Sequence, residues 1–106
     1  RAEFDLIILD PPKYSASAKH IERATRKYKD INLVGIKLLA PGGKLMTFSC
    51  SQSMDTDLFQ KVVAGAAVDA KRDLRIIRRL GQPVDHPVHL HFPESEYLKG
   101  LLLQAD

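Results

Sequence analysis

Asp10 and Cys50 stand far apart in the chain, and each directly follows a run suited to a β-strand. Leu6-Ile7-Ile8-Leu9 leads into Asp10, and Lys44-Leu45-Met46-Thr47-Phe48-Ser49 leads into Cys50. A carboxylate outside the carboxyl end of a central strand occupies the place where open α/β sheets bind ligands. A thiol, once ionised, is a nucleophile. The plain alternatives are a turn-forming aspartate that ends a strand and a small, inert buried cysteine. Local sequence alone leaves both pairs of readings open.

The elements around these residues decide whether they meet. Residues 6–9 form an unbroken apolar run, which suits a parallel strand covered on both faces. Pro11 and Pro12 end it, because neither has an N–H to donate. Ser15 and Ser17 are candidate helix caps. Ile21, Ala24, Tyr28, Ile31, Gly35 and Leu38 recur at helical spacing and predict a helix from about residue 19 or 20 to 39. Pro41-Gly42-Gly43 is expected to stop it. A second strand is expected over 44–49 and a second helix over 55–71. That helix has acidic Asp55 and Asp57 at its start and Lys71 and Arg72 at its end. Its buried stripe is Leu58, Phe59, Val62, Val63, Ala66, Ala67 and Ala70. Residues 74–80 read as an edge strand, made partly polar by Arg75, Arg78 and Arg79. A long loop over 81–96 holds three prolines and three histidines, and residues 97–104 read as the last strand.

This order, β-α-β-α-β-loop-β, predicts three parallel strands joined by right-handed crossovers, with the last strand antiparallel. Three parallel strands bring their carboxyl ends to one edge, so Asp10, Cys50 and the loop from Gly81 share it. Neighbouring strands lie ~4.8 Å apart, close enough for a carboxylate and a thiol to serve one small pocket.

The chain has 106 residues and is 44% hydrophobic, enough for one small domain but short for a doubly wound enzyme. Its apolar runs fall well short of the ~20 residues of a spanning helix. The single cysteine excludes an internal disulfide and fits a cytoplasmic location. Sixteen Lys and Arg against thirteen Asp and Glu give +3, a mild bias toward acidic partners. Arg1 rather than Met at the start, with a strand almost at once, suggests a piece of a longer protein.

Several motifs now stand in order: Asp10-Pro11-Pro12-Lys13-Tyr14, Tyr28-Lys29-Asp30-Ile31-Asn32, Thr47-Phe48-Ser49-Cys50-Ser51, Asp57-Leu58-Phe59-Gln60-Lys61, Asp85-His86-Pro87 and Tyr97-Leu98-Lys99-Gly100. Together they resemble the large-subunit ribosomal RNA cytosine-5 methyltransferases, which carry a PUA domain ahead of a class I S-adenosylmethionine-dependent domain. The resemblance runs from Phe4 to Gln104. It implies the carboxyl-terminal half of a Rossmann-like methyltransferase fold, with the last strand inserted antiparallel between the second and third strands of this chain. It also implies that the PUA domain, the glycine-rich cofactor loop and the ribose-binding acid lie outside these residues. Gly42-Gly43 follows a helix, the wrong context for that loop. Alone, the chain is expected to bind S-adenosylmethionine poorly or not at all.

The resemblance further implies roles. Cys50 would add to C6 of a cytosine, making C5 nucleophilic enough to take a methyl group. Asp10 would bond the pyrimidine edge, and with Pro11 would border the cofactor. Pro11, Pro12, Lys13, Tyr14, Ser49, Ser51 and His86 would line the base pocket, with Tyr14 stacking. Many relatives carry a second cysteine where this chain has Lys13, so either product release is managed otherwise or Lys13 does something different, such as gripping phosphate or activating Cys50. Lys19, Arg23, Arg26 and Lys27 would grip ribosomal RNA, in a cluster that also includes Lys13, His20 and Lys29. The plain alternative is the wet face of an amphipathic helix. His86, His89 and His91 match no standard metal spacing.

Two other readings differ in kind. An amino-group methyltransferase acting on adenine or guanine also uses an Asp-Pro-Pro element but needs no cysteine. A half-domain without its partner half would be inert or a binding module. In either enzyme reading the first strand would have an open apolar edge here, which predicts a homodimer through residues 4–9.

Overall fold

The computed structural model describes residues 3–11, 21–50, 54–81 and 98–106. In chain order these form β1 (Phe4–Leu9), α1 (Ile21–Lys37), β2 (Leu39–Ser49), α2 (Thr56–Ala70), β3 (Leu74–Leu80) and β4 (Lys99–Ala105). The sheet order is β1-β2-β4-β3. β1 pairs with β2 in parallel, while β4 is antiparallel to both of its neighbours. The sheet is therefore mixed, with one hydrogen-bonded parallel pair. This corrects the expectation of three parallel strands as far as pairing goes. β3 points the same way as β2, two antiparallel steps away, but β4 stands between them.

Both helices cover one face. Ala24, Tyr28 and Ile36 of α1 and Phe59, Val62, Val63 and Ala66 of α2 form the core with Leu45, Leu101, Leu103 and Ala105 of the sheet. The Tyr28 and Phe59 rings meet edge to face, with centroids 6.1 Å apart. Lys29 Nζ reaches Asp69 Oδ2 of α2 at 2.9 Å. Crossovers of one hand that step the same way along a sheet lay their helices on the same side. Among the described residues no helix covers the other face. Ile7 and Leu9 pack against the core, but Leu6 and Ile8 are 54% and 58% exposed. The expectation that β1 is covered on both faces fails for that reason.

α2 follows its sequence closely. Asp55 is its N-cap, with Oδ1 accepting from the Leu58 N–H at 2.7 Å. Lys71 closes it in the left-handed region at φ 58°. The end of α1 differs from expectation. The helix stops at Lys37, and β2 begins at Leu39, running straight through Pro41-Gly42-Gly43. These residues do not stop a helix; they make a bulge. Phe4 pairs with Leu39 but Leu6 with Lys44, so β2 spends the extra residues in a bend. Gly42 has φ +78°, and a Cβ on Gly43 would lie 2.9 Å from Ala40 O and 3.0 Å from Phe4 O. Only glycine fits there.

Candidate active site

Asp10 follows β1 and Cys50 follows β2, and the two strands are parallel, so both residues lie on one rim. The register fixes their levels. Leu9 pairs with Thr47, which sets Asp10 beside Phe48 and Cys50 two residues further on. With strands ~4.8 Å apart and ~3.3 Å of rise per residue, their Cα atoms are roughly 8 Å apart. Asp10 is exposed and Cys50 is half-buried and free of any disulfide. An exposed carboxylate and a partly accessible thiol at that separation can act on opposite sides of one planar ring.

The remaining residues divide. Pro11 is buried beside Asp10 and stiffens the exit from β1. Ser49 is 1% exposed, on the same side of β2 as Leu45 and Thr47. Its side chain is shut away from solvent, unlike that of Asp10. Arg23, Arg26 and Lys27 are exposed in the first two turns of α1, the end nearest this rim. Lys29, counted with them in the sequence, is instead tied to Asp69. Pro12, Lys13, Tyr14, Lys19, Ser51 and His86, with His20, His89 and His91, lie outside the described residues. Among the described residues no cluster of His, Cys, Asp and Glu suits a metal ion. None of their helices is long and apolar enough to cross a membrane.

Three buried polar residues near this rim were not singled out for a role by the sequence reading. Asn32 is 1% exposed and Thr47 is fully buried. Thr47 Oγ1 donates to Asn32 Oδ1 at 2.7 Å, and Asn32 Nδ2 donates to Tyr28 O at 2.8 Å. Lys99, 8% exposed, pairs in register with Ser49, on the strand next to the one that Cys50 follows. A signal existed for the first two. Asn32 lies four residues after Tyr28, within the buried stripe, and Thr47 alternates with Leu45.

Gly42 and Gly43 lie near the amino end of β2, on the rim opposite Asp10, and Gly43 is required by backbone crowding rather than by a ligand.

No family model matches the chain. Among relatives, it is 56% identical over 102 residues to ribosomal RNA large subunit methyltransferase I of Shewanella frigidimarina, covering 96% of this chain and 26% of that protein. The protein of the same name in Pseudoalteromonas atlantica is 57% identical over 103 residues, 97% of this chain and 26% of the relative. That of Shewanella denitrificans is 54% identical, with 96% and 26% covered. Among solved structures, SMU.776 complexed with SAH superposes with a TM-score of 0.78 at 21% identity, over 97% of this chain and 26% of that one. A methyltransferase homolog protein from Pyrococcus horikoshii gives 0.55 at 18%, over 97% and 39%. The chain thus spans about a quarter of the length of the curated relatives it matches, and over nearly all of its own length it is similar to one stretch of the ribosomal RNA large subunit methyltransferase I proteins.

Proposed function

We propose that this chain is the carboxyl-terminal part of an enzyme that methylates C5 of a cytosine in large-subunit ribosomal RNA. The observation that carries the reading is the convergence of Asp10 and Cys50 on one rim, in a chain 54–57% identical to the relatives named above. S-adenosylmethionine, held mainly by residues outside this chain, would supply the methyl group. Cys50 adds as thiolate to C6 of the base and leaves once the C5 proton is lost. Asp10 hydrogen-bonds the pyrimidine edge and steadies charge as the adduct forms. Pro11, Pro12 and Tyr14 wall the base. Lys19, Arg23, Arg26 and Lys27 hold phosphates, which makes RNA affinity fall with salt. The fold and this substrate fit a cytoplasmic enzyme.

Cys50→Ala in the intact enzyme tests the chemistry. Transfer of labelled methyl to ribosomal RNA should fall by at least about 10³-fold, the scale of losing a nucleophile. An amino-group methyltransferase would retain its activity. Retained activity with the label on an exocyclic nitrogen would move the assignment to that class.

The exposed alternate residues of β1, Leu6 and Ile8, and its terminal place in the sheet support a second proposal. Isolated from the rest of the enzyme, the 106-residue chain pairs with a copy of itself along β1. Sedimentation should show a dimer that Ile8→Lys disrupts; a monomer at all concentrations removes the idea.

A further inference from the structure

Thr47 occupies the level of the sheet from which both candidate residues depart. It pairs with Leu9, the residue before Asp10, on one side and with Leu101 of β4 on the other, and it precedes Cys50 by three residues. From that level it is bonded outward to α1 through Asn32, whose amide is held in turn by the Tyr28 carbonyl. Both side chains are removed from water. The helix so attached carries Arg23, Arg26 and Lys27 in its first two turns.

Burying a hydroxyl and an amide is a poor way to gain stability. Replacing both partners with apolar groups of the same shape is often nearly neutral. A directional bond in a low-dielectric interior instead holds one arrangement, which methyl contacts do not. The bond lies below the rim rather than on it, and neither side chain reaches solvent. Its effect on chemistry must pass through the backbone of β2.

We propose that Asn32 and Thr47 are a positioning pair, which locks the end of β2 against α1 and so sets Cys50 in register with Asp10 and with the basic turns of the helix. This rests on the reading of Cys50 as nucleophile given above. Neither residue touches the base. A misplacement of about 1 Å in a reacting group can cost about 10²-fold in rate. Losing the pair should therefore lower kcat and leave the KM for RNA, set by the phosphate contacts, nearly unchanged.

The test is made in the intact enzyme. The double variant Asn32→Leu with Thr47→Val should fold, melt close to the parent and show kcat about 10- to 100-fold lower with little change in KM. The pH profile of Cys50 alkylation by iodoacetamide should shift or flatten, which a purely structural pair would not cause. Thr47→Ser keeps the hydroxyl and should restore most of kcat. A folded double variant with parental kcat and parental alkylation overturns the proposal. If the double variant does not fold, Thr47→Val and Thr47→Ser are compared well below their melting temperatures, and equal kcat in the two overturns it instead. Cys50→Ala, run alongside, reports on the nucleophile separately: its failure to lose activity removes the thiol chemistry whatever the double variant does.

Discussion

The rim that carries Asp10 and Cys50 and the rim at the other end of the same strands are built in different ways. At the far rim the connections are short. Leu38 alone separates α1 from β2, and residues 71–73 separate α2 from β3. Polar groups there are bonded to one another. Arg72 Nη1 donates to Ile36 O at 2.9 Å and to Leu39 O at 2.6 Å, satisfying carbonyls at the end of α1 and the start of β2. The Phe4 N–H donates to Leu38 O, the Gly42 N–H to Asp106 O and the Asp106 N–H to Asp73 O. Gln104 Nε2 adds a bond to Gly42 O. At the near rim the chain leaves β1 at Asp10 and β2 at Cys50. Asp10 stands exposed there, beside a half-buried thiol. One rim spends its polar groups on holding the fold. The other leaves a carboxylate exposed beside a half-buried thiol, which under the proposed function is where the substrate meets the chain.

That contrast predicts that near-rim substitutions change rate and far-rim substitutions change stability. After Cys50, the largest effect is expected at Asp10. Asp10→Ala should lower kcat/KM by about 10²–10³-fold, the scale of removing a charge-stabilising group, while an exposed site keeps its melting temperature close to the parent's. Methyl transfer and thermal unfolding measured on one preparation check both halves. Arg72→Ala should do the reverse. It removes two charge-assisted bonds to backbone carbonyls and should cost about 2 kcal/mol in urea unfolding, with kcat per folded molecule unchanged. An Arg72→Ala enzyme of full stability and low kcat would erase the distinction between the rims.

Gly43→Ala comes next. Its Cβ would press on Ala40 O and Phe4 O, backbone atoms that cannot swing away, at an expected cost of about 1–2 kcal/mol with kcat again preserved. Smallest of all is the surface pair on α2. Lys61 Nζ lies 3.0 Å from Asp57 Oδ2, with both side chains mostly in water. The hydrogen bond and charge of Asp57 hold the Lys61 ammonium above its ordinary value of 10.5. A raised lysine stabilises the fold fully below its unfolded value and loses that contribution as pH climbs through the folded one. Lys61→Met should therefore leave the melting temperature almost unmoved at neutral pH, and any difference from the parent should vanish in strong alkali. A large drop at neutral pH would show that α2 leans on its surface charges more than on its buried stripe.

The second helix was almost wholly legible in the sequence. Phe59, Val62, Val63 and Ala66 recur at helical spacing and are buried, and Asp55, read as an acidic residue at the helix start, is its N-cap. These are local properties, decided within a few residues. The failures are all non-local. Pro41-Gly42-Gly43 reads as a helix stop from its neighbours alone. It becomes a strand bulge because Phe4, distant in sequence, pairs with Leu39. Leu6 to Leu9 reads as doubly covered because its composition is apolar throughout. Whether a face is covered depends on which side the crossovers pass.

The sequence by itself determined the number and order of the strands and helices, the amphipathic face of α2, and two reactive groups directly after two strands. It did so because hydrophobic period, caps and prolines act over short distances. Tertiary structure alone decided that β2 runs through Pro41-Gly42-Gly43, that among the described residues the helices cover only one face of the sheet, and that Thr47 bonds Asn32 beneath the rim. Those outcomes depend on pairing and register between distant segments, where a shift of one residue sends every side chain to the other face.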